Sequence, residues 1–278
     1  MTAQCPVPGC RIPVDVALRS CDKALIGAHK ANLEQYSEAF PPSDSVSSSS
    51  EPVDLTESAQ TLNLLMHFVH KVQYPDIYGL KDEELFELAD AAEKYVIHTT
   101  MAQCNLCIRS RLEKIPVKAL SYAVKYGYRA VMDVAAPSTI SNDTAFMKGA
   151  LNDDEGLYAW LQYKTTYLDG MNMILSLKGV PGRKEAPAWA RSSSGYGYLC
   201  SNWEDYARTV QGSIHQSNLS STTGSPLSSL FAATSIVTCA NPRGCRLACI
   251  SAKQTWVQAA VGYIDAVPKL STYLVRAS

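Results

Sequence analysis

The sequence predicts an α+β fold: a small β-sheet against a helical cluster, followed by a mostly α-helical C-terminal region. Three observations lead there. A short run of apolar and polar alternation occurs near the N-terminus, amphipathic helical spacing repeats from Thr56 to Gly127, and helical spacing returns in pieces after Pro137. With 278 residues, 46% of them hydrophobic, the chain is long enough for one large domain or two modest ones.

Each element has its own reason. From Val14 to Arg19, Val14, Val16 and Leu18 alternate with Asp15, Ala17 and Arg19, as in a half-buried strand, and Leu25–Ala28 suits a second. Lys30 to Phe40 places Leu33, Tyr36 and Phe40 on one helical face, and Pro41-Pro42 stops the helix. Ser43 to Ser50, with six serines in eight residues, has little to bury and is expected to be a mobile loop. Pro52 to Leu55 can form a brief edge strand. Thr56 is then expected to cap a helix carrying Leu62, Leu65, Met66 and Val69 at i, i+3, i+4 and i+7. Asp82 is expected to cap the next, with Leu85, Leu88, Ala89, Ala92 and Val96 facing inward. Met101, Cys104, Ile108 and Leu112 mark a further stripe, and Pro116 opens a helix that Gly127 can end in a left-handed conformation. Beyond Pro137, Leu157–Leu177, Trp203–Ile214 and Gln254–Leu274 have helical character. They are separated by loops near 179–197 and 217–229 that are rich in Gly, Pro and Ser or otherwise polar. No internal repeat is visible.

Lysine plus arginine number 25 against 26 acidic residues, so no broad basic field draws the chain to nucleic acid or an anionic membrane. No signal-peptide pattern opens the sequence and no apolar run reaches spanning length, which leads us to expect a soluble intracellular protein, cytoplasmic or nuclear. Nine cysteines, an odd number, then read as thiols or metal ligands rather than a disulfide framework.

Asp15-Val16 in the first strand, His29-Lys30-Ala31-Asn32-Leu33 at the start of the first helix, Ala92-Glu93-Lys94-Tyr95 and then Cys104 follow one another in the order of the BTB/POZ pattern. Over residues 12–136 the chain resembles a BTB/POZ domain. The wording Val53-Asp54-Leu55-Thr56-Glu57, Leu88 to Tyr95 and Tyr122 to Tyr128 is similar to the expanded BTB families of mushroom-forming fungi. The resemblance implies a non-catalytic interaction module that forms homodimers or heterodimers with another BTB protein. In a subset of that family it also implies binding to cullin-3, so that a second domain presents substrates for ubiquitin transfer. Residues 137–278 would be the second region, and no kelch or MATH pattern is visible there.

Among candidate sites, the resemblance assigns Asp15, His29 and Lys30 to a pocket near the dimer interface. His29 reads as a buried structural group; for Asp15 and Lys30 a charged pocket and an ordinary surface pair both stand. Cys104-Asn-Leu-Cys107 has CxxC spacing, but Cys104 belongs to an apolar helical stripe and core packing is the better reading. His67 and His70, near one another on a helix, read as surface histidines with no further ligand in reach. Cys239, Cys245 and Cys249, with Cys200 as a fourth, could hold a structural zinc ion in a C-terminal helical module dimerised by the N-terminal domain, although their spacing matches no standard knuckle. No other cofactor is expected. Cys5-Pro-Val-Pro-Gly-Cys10 could clamp something, at a terminus expected to fray. A nucleophile elbow, P-loop, dinucleotide fingerprint and zinc-protease helix are all missing from the sequence, which points away from an enzyme.

Overall fold

The computed structural model describes residues 3–40, 51–175, 205–212 and 245–274. They form two compact units, Met1–Leu112 and Glu113–Ser278. The class is α+β and mostly helical, with one three-stranded sheet among the described residues. The serine-rich stretch and the two loops predicted near 179–197 and 217–229 lie outside those residues.

In the first unit, β1 (Val16–Arg19) pairs antiparallel with β2 (Leu25–Ala28), Leu18 opposite Ile26 and Arg19 opposite Leu25. β3 (Val53–Asp54) runs parallel to β1 on its other side, giving the order β2-β1-β3. Between the strands lies α1 (Lys30–Tyr36), shorter than its apolar spacing suggests. It stops at Ser37 because the Ser37 hydroxyl turns to the Tyr95 carbonyl and the chain becomes extended there.

Three longer helices complete this unit: α2 (Ala59–Phe68), α3 (Asp82–Lys94) and α4 (His98–Ser110). The cap of α2 is Ser58, whose hydroxyl accepts the Thr61 amide, and not Thr56. Residues 55 and 57 are still committed to other backbone partners: the Leu55 N–H donates to Arg19 and the Glu57 carbonyl accepts from Cys21, which delays helix entry by two residues. Likewise Asp82 is the first residue of α3 rather than its cap; the Glu84 carboxylate reaches back to the Lys81 N–H at 3.2 Å. α2 lies against β2 and α3, and α3 against α4. Leu18, Ile26, Leu33, Leu62, Leu65 and Leu88 are all buried in this core, each such side chain contributing about 1.5–3 kcal/mol of burial. Arg111 ties the end of α4 back to α3 and its approach, donating to Asp82 and to the Tyr78 carbonyl, both at 2.7 Å.

The second unit opens with α5 (Pro116–Tyr126), begun by its proline and ended by Gly127 at φ 78°. It continues through α6 (Arg129–Ala135), α7 (Thr144–Leu151) and α8 (Asp154–Leu175). Residues 205–212 are helical, as are Cys245–Asp265 and Leu270–Tyr273. Trp160 is fully buried and its indole N–H donates to Thr139 at 3.0 Å; Asp133 accepts both the amide and the hydroxyl of Ser271 at 2.9 Å. These bonds join segments far apart in sequence within one helical unit.

Candidate metal centre

Four side chains with metal-ligand chemistry converge in the first unit: Cys5, Cys10, His29 and His70, whose ligand atoms all lie within 4.8 Å of one another. The N-terminal segment is not frayed. Val7-Pro8-Gly9-Cys10 makes a tight turn, with the Cys10 amide donating to the Val7 carbonyl at 3.2 Å and Gly9 at φ 74°. Proline followed by a left-handed glycine is the type II pattern, and it returns the chain so that both thiols face one point. Val7, between them, is buried. Upstream, the Gln4 carbonyl accepts the Gly27 N–H at 2.8 Å, and Gln4 bridges Ile26 in parallel, laying this arm along β2.

The two histidines arrive from the sheet and from the end of α2. His29 directly follows β2; His70 follows α2 after the helix has loosened at Val69. Both are buried, 2% and 4% exposed. His70 is therefore not the surface residue that its position near His67 suggests; the chain turns inward beyond Phe68, whereas His67 stays on the helix and bonds the Asn63 carbonyl.

The Nδ1 of His29 lies 2.9 Å from the Pro13 carbonyl and that of His70 lies 2.6 Å from the Met66 carbonyl. A carbonyl can only accept, so each Nδ1 carries a proton and each Nε2 is the nitrogen left to bind a metal. Those Nε2 atoms face sulfur: Cys10 Sγ is 3.2 Å from His29 and 3.6 Å from His70, and Cys5 Sγ is 3.5 Å from His70. Zinc bound tetrahedrally at the usual bond lengths separates a sulfur from a nitrogen ligand by about 3.6 Å. The spacing thus matches a common central ion. The set also matches in kind, two thiols and two imidazoles with oriented rings, and four ligands would leave no coordination position open.

The electrostatics favour neutral ligands around an added cation. Burial lowers the His70 pKa, as do His29 and His67, against an opposing bond to Met66, so the ring stays neutral. Burial pushes the Cys5 thiol up, and Cys10 adds to it, against a lowering contact with Val7. Without an ion this is a poor place for a thiolate; a divalent cation reverses that preference by its own charge.

Asp15, His29 and Lys30, which the resemblance assigns to an interface pocket, meet around the start of α1. Asp15 accepts the Lys30 backbone N–H at 2.8 Å, serving the start of α1, while His29 turns into the cysteine–histidine cluster. Cys104 and Cys107 are both fully buried; burial above all pushes Cys104 up to about 12, and Cys107 points at the Ile77 carbonyl at 3.7 Å. They are core residues. Cys200 and Cys239 lie outside the described residues, and so do the side chains of Cys245 and Cys249. Sequence reasoning missed this ligand set: it read His29 as a buried structural group and His70 as a surface histidine, and the one signal it noted was the clamp-like Cys5-Pro-Val-Pro-Gly-Cys10.

No protein-family model, curated protein or solved structure matches the chain. Among the described residues, no helix is long and apolar enough to cross a membrane.

Proposed function

We propose that this chain is a non-catalytic protein-interaction protein whose N-terminal unit is a BTB/POZ-like module stapled by one structural zinc ion at Cys5, Cys10, His29 and His70. The observation that carries the zinc reading is the convergence of four sulfur and imidazole ligand atoms within 4.8 Å, with both rings oriented by backbone carbonyls. A closed four-ligand set suits a structural ion, since a catalytic one keeps a position for water or substrate.

The interaction reading is supported by the order strand, strand, helix, strand, helices, which accords with the BTB resemblance. It is also supported by apolar residues left exposed on or beside the sheet: Ile12, Val14, Leu25 and Val53. The partner is a second copy or another BTB protein. Cullin-3 is the alternative partner, with the helical second unit carrying the substrate contact.

Metal analysis and absolute mass of the purified full-length protein test both halves. One zinc per chain, lost in Cys10→Ser, and a dimer that persists on dilution support the proposal. A chain that is folded, zinc-free and monomeric at high concentration rejects it. A second zinc equivalent lost on Cys245→Ser would locate another site among the C-terminal cysteines.

A further inference from the structure

We infer that Gly27 is a positioning residue for the metal: the N-terminal arm can bring Cys5 to the site only because β2 presents no side chain there, and zinc binding and docking of the arm on β2 are one coupled event. This rests on the zinc reading above.

The geometry at Gly27 is specific. A Cβ at this position would stand 2.7 Å from the carbonyl carbon of Gln4, 2.9 Å from the backbone nitrogen of Cys5 and 2.7 Å from Val14 Cγ2. Two of these three atoms are backbone of the arm, one of them the nitrogen of a ligand residue, so a rotamer change cannot relieve the contact. Gly27 also donates its N–H to the Gln4 carbonyl at 2.8 Å, on the edge of β2 that does not face β1. The same residue therefore both admits the arm and bonds it.

Among the described residues, what holds the docked arm besides its cysteines is the parallel bridge of Gln4 to Ile26, which includes the Gly27–Gln4 bond, and the buried Val7. Such contacts are weak against the conformational entropy of ordering the whole segment. An ion that joins Cys5 and Cys10 to His29 and His70 supplies the remainder. Because binding free energies are reciprocal, whatever zinc adds to docking of the arm, docking adds to zinc affinity.

The test uses the full-length chain and zinc in competition with a chromophoric chelator. Gly27→Ala lowers zinc affinity by about 10–100-fold, the effect typical of disturbing the support of a ligand. Gly79→Ala, where a Cβ meets nothing within 4 Å, leaves it unchanged. Amide hydrogen exchange on the wild-type chain reads the same coupling without any substitution, and decides the matter if Gly27→Ala fails to fold. The Gly27 amide is protected in the zinc-loaded protein and exchanges at least about tenfold faster once zinc is stripped, the loss expected when a local opening becomes easy. Zinc binding of unchanged strength in Gly27→Ala, or equal protection of the Gly27 amide with and without zinc, overturns this inference while leaving the zinc centre standing. A wild-type chain that binds no zinc overturns the centre and the inference together.

Discussion

Two cysteine pairs in the first unit carry opposite lessons. Cys104 and Cys107 have the spacing of a metal or redox motif, yet both sulfurs are buried in helix packing and burial holds them as thiols. Cys5 and Cys10 have a looser spacing at the start of the chain, yet their sulfurs face two imidazole nitrogens. Surroundings, and not the interval between cysteines, decide which pair can bind a cation. Burial raises both thiols of the first pair, and at Cys107 it outweighs the opposing pull of Arg111, so they pack as small apolar side chains.

The largest effects are expected at the ligands. Removing one, as in Cys10→Ser or His70→Ala, lowers zinc affinity by more than the roughly 10–100-fold of an outer-shell change, and chelator competition measures it. The same variants become insensitive to added chelator in thermal melts, whereas the wild-type protein loses stability when zinc is removed. In the other pair the effect is one of packing alone. Cys104→Ser puts a hydroxyl into the apolar seam where α3 meets α4 and costs about 1–3 kcal/mol in urea unfolding, while zinc content stays the same. Loss of zinc in Cys104→Ser would remove the distinction between the pairs.

A third change separates metal from ordinary polar bonding. Glu57 accepts the Tyr95 hydroxyl at 2.6 Å and the Lys94 ammonium at 2.8 Å. Burial pushes its carboxyl up, but these bonds outweigh burial and hold it below the usual glutamate range. A depressed carboxylate adds stability above its unfolded pKa and loses it as pH falls through the folded value. Glu57→Gln is therefore expected to destabilise the unit by about 1–3 kcal/mol at neutral pH, with the gap to wild type closing below about pH 4. Urea melts across pH with zinc present measure that gap. The smallest effect belongs to the exposed pair of Arg19 and Asp54, 3.1 Å apart across β1 and β3; Arg19→Ala changes stability by less than about 1 kcal/mol and leaves zinc binding untouched.

Much of the first unit was legible in the sequence because its periods are clean. Leu25–Ala28, the inward stripe of α2 and that of α3 from Leu85 to Ala92 stand where alternation and helical spacing put them; Val96, expected on the same face of α3, lies beyond its end at φ 52°; Pro116 and Gly127 bound α5 as their backbone preferences dictate. Element starts were less legible. Thr56 and Asp82 are good caps by type, but at α2 the residues on either side of Thr56 still bond to Arg19 and Cys21, far away in sequence, and at α3 the Glu84 carboxylate takes the Lys81 N–H and makes Lys81 the cap. The site was the least legible part. Cys5 and His70 are 65 residues apart, and nothing local distinguishes His70 from His67. Only the packing of α2 against β2 and the turn at Pro8-Gly9 bring the four ligands to one point. Asp15 and Lys30 meet through a bond from the Lys30 backbone to the Asp15 carboxylate.

X-ray absorption at the zinc edge of the full-length protein reads out whether a zinc ion sits among Cys5, Cys10, His29 and His70. The expected result is one zinc per chain with two sulfur neighbours at about 2.3 Å and two nitrogen neighbours at about 2.0 Å, a shell lost in His70→Ala. A zinc-free folded chain, or a shell of four sulfurs that survives His70→Ala, would contradict it.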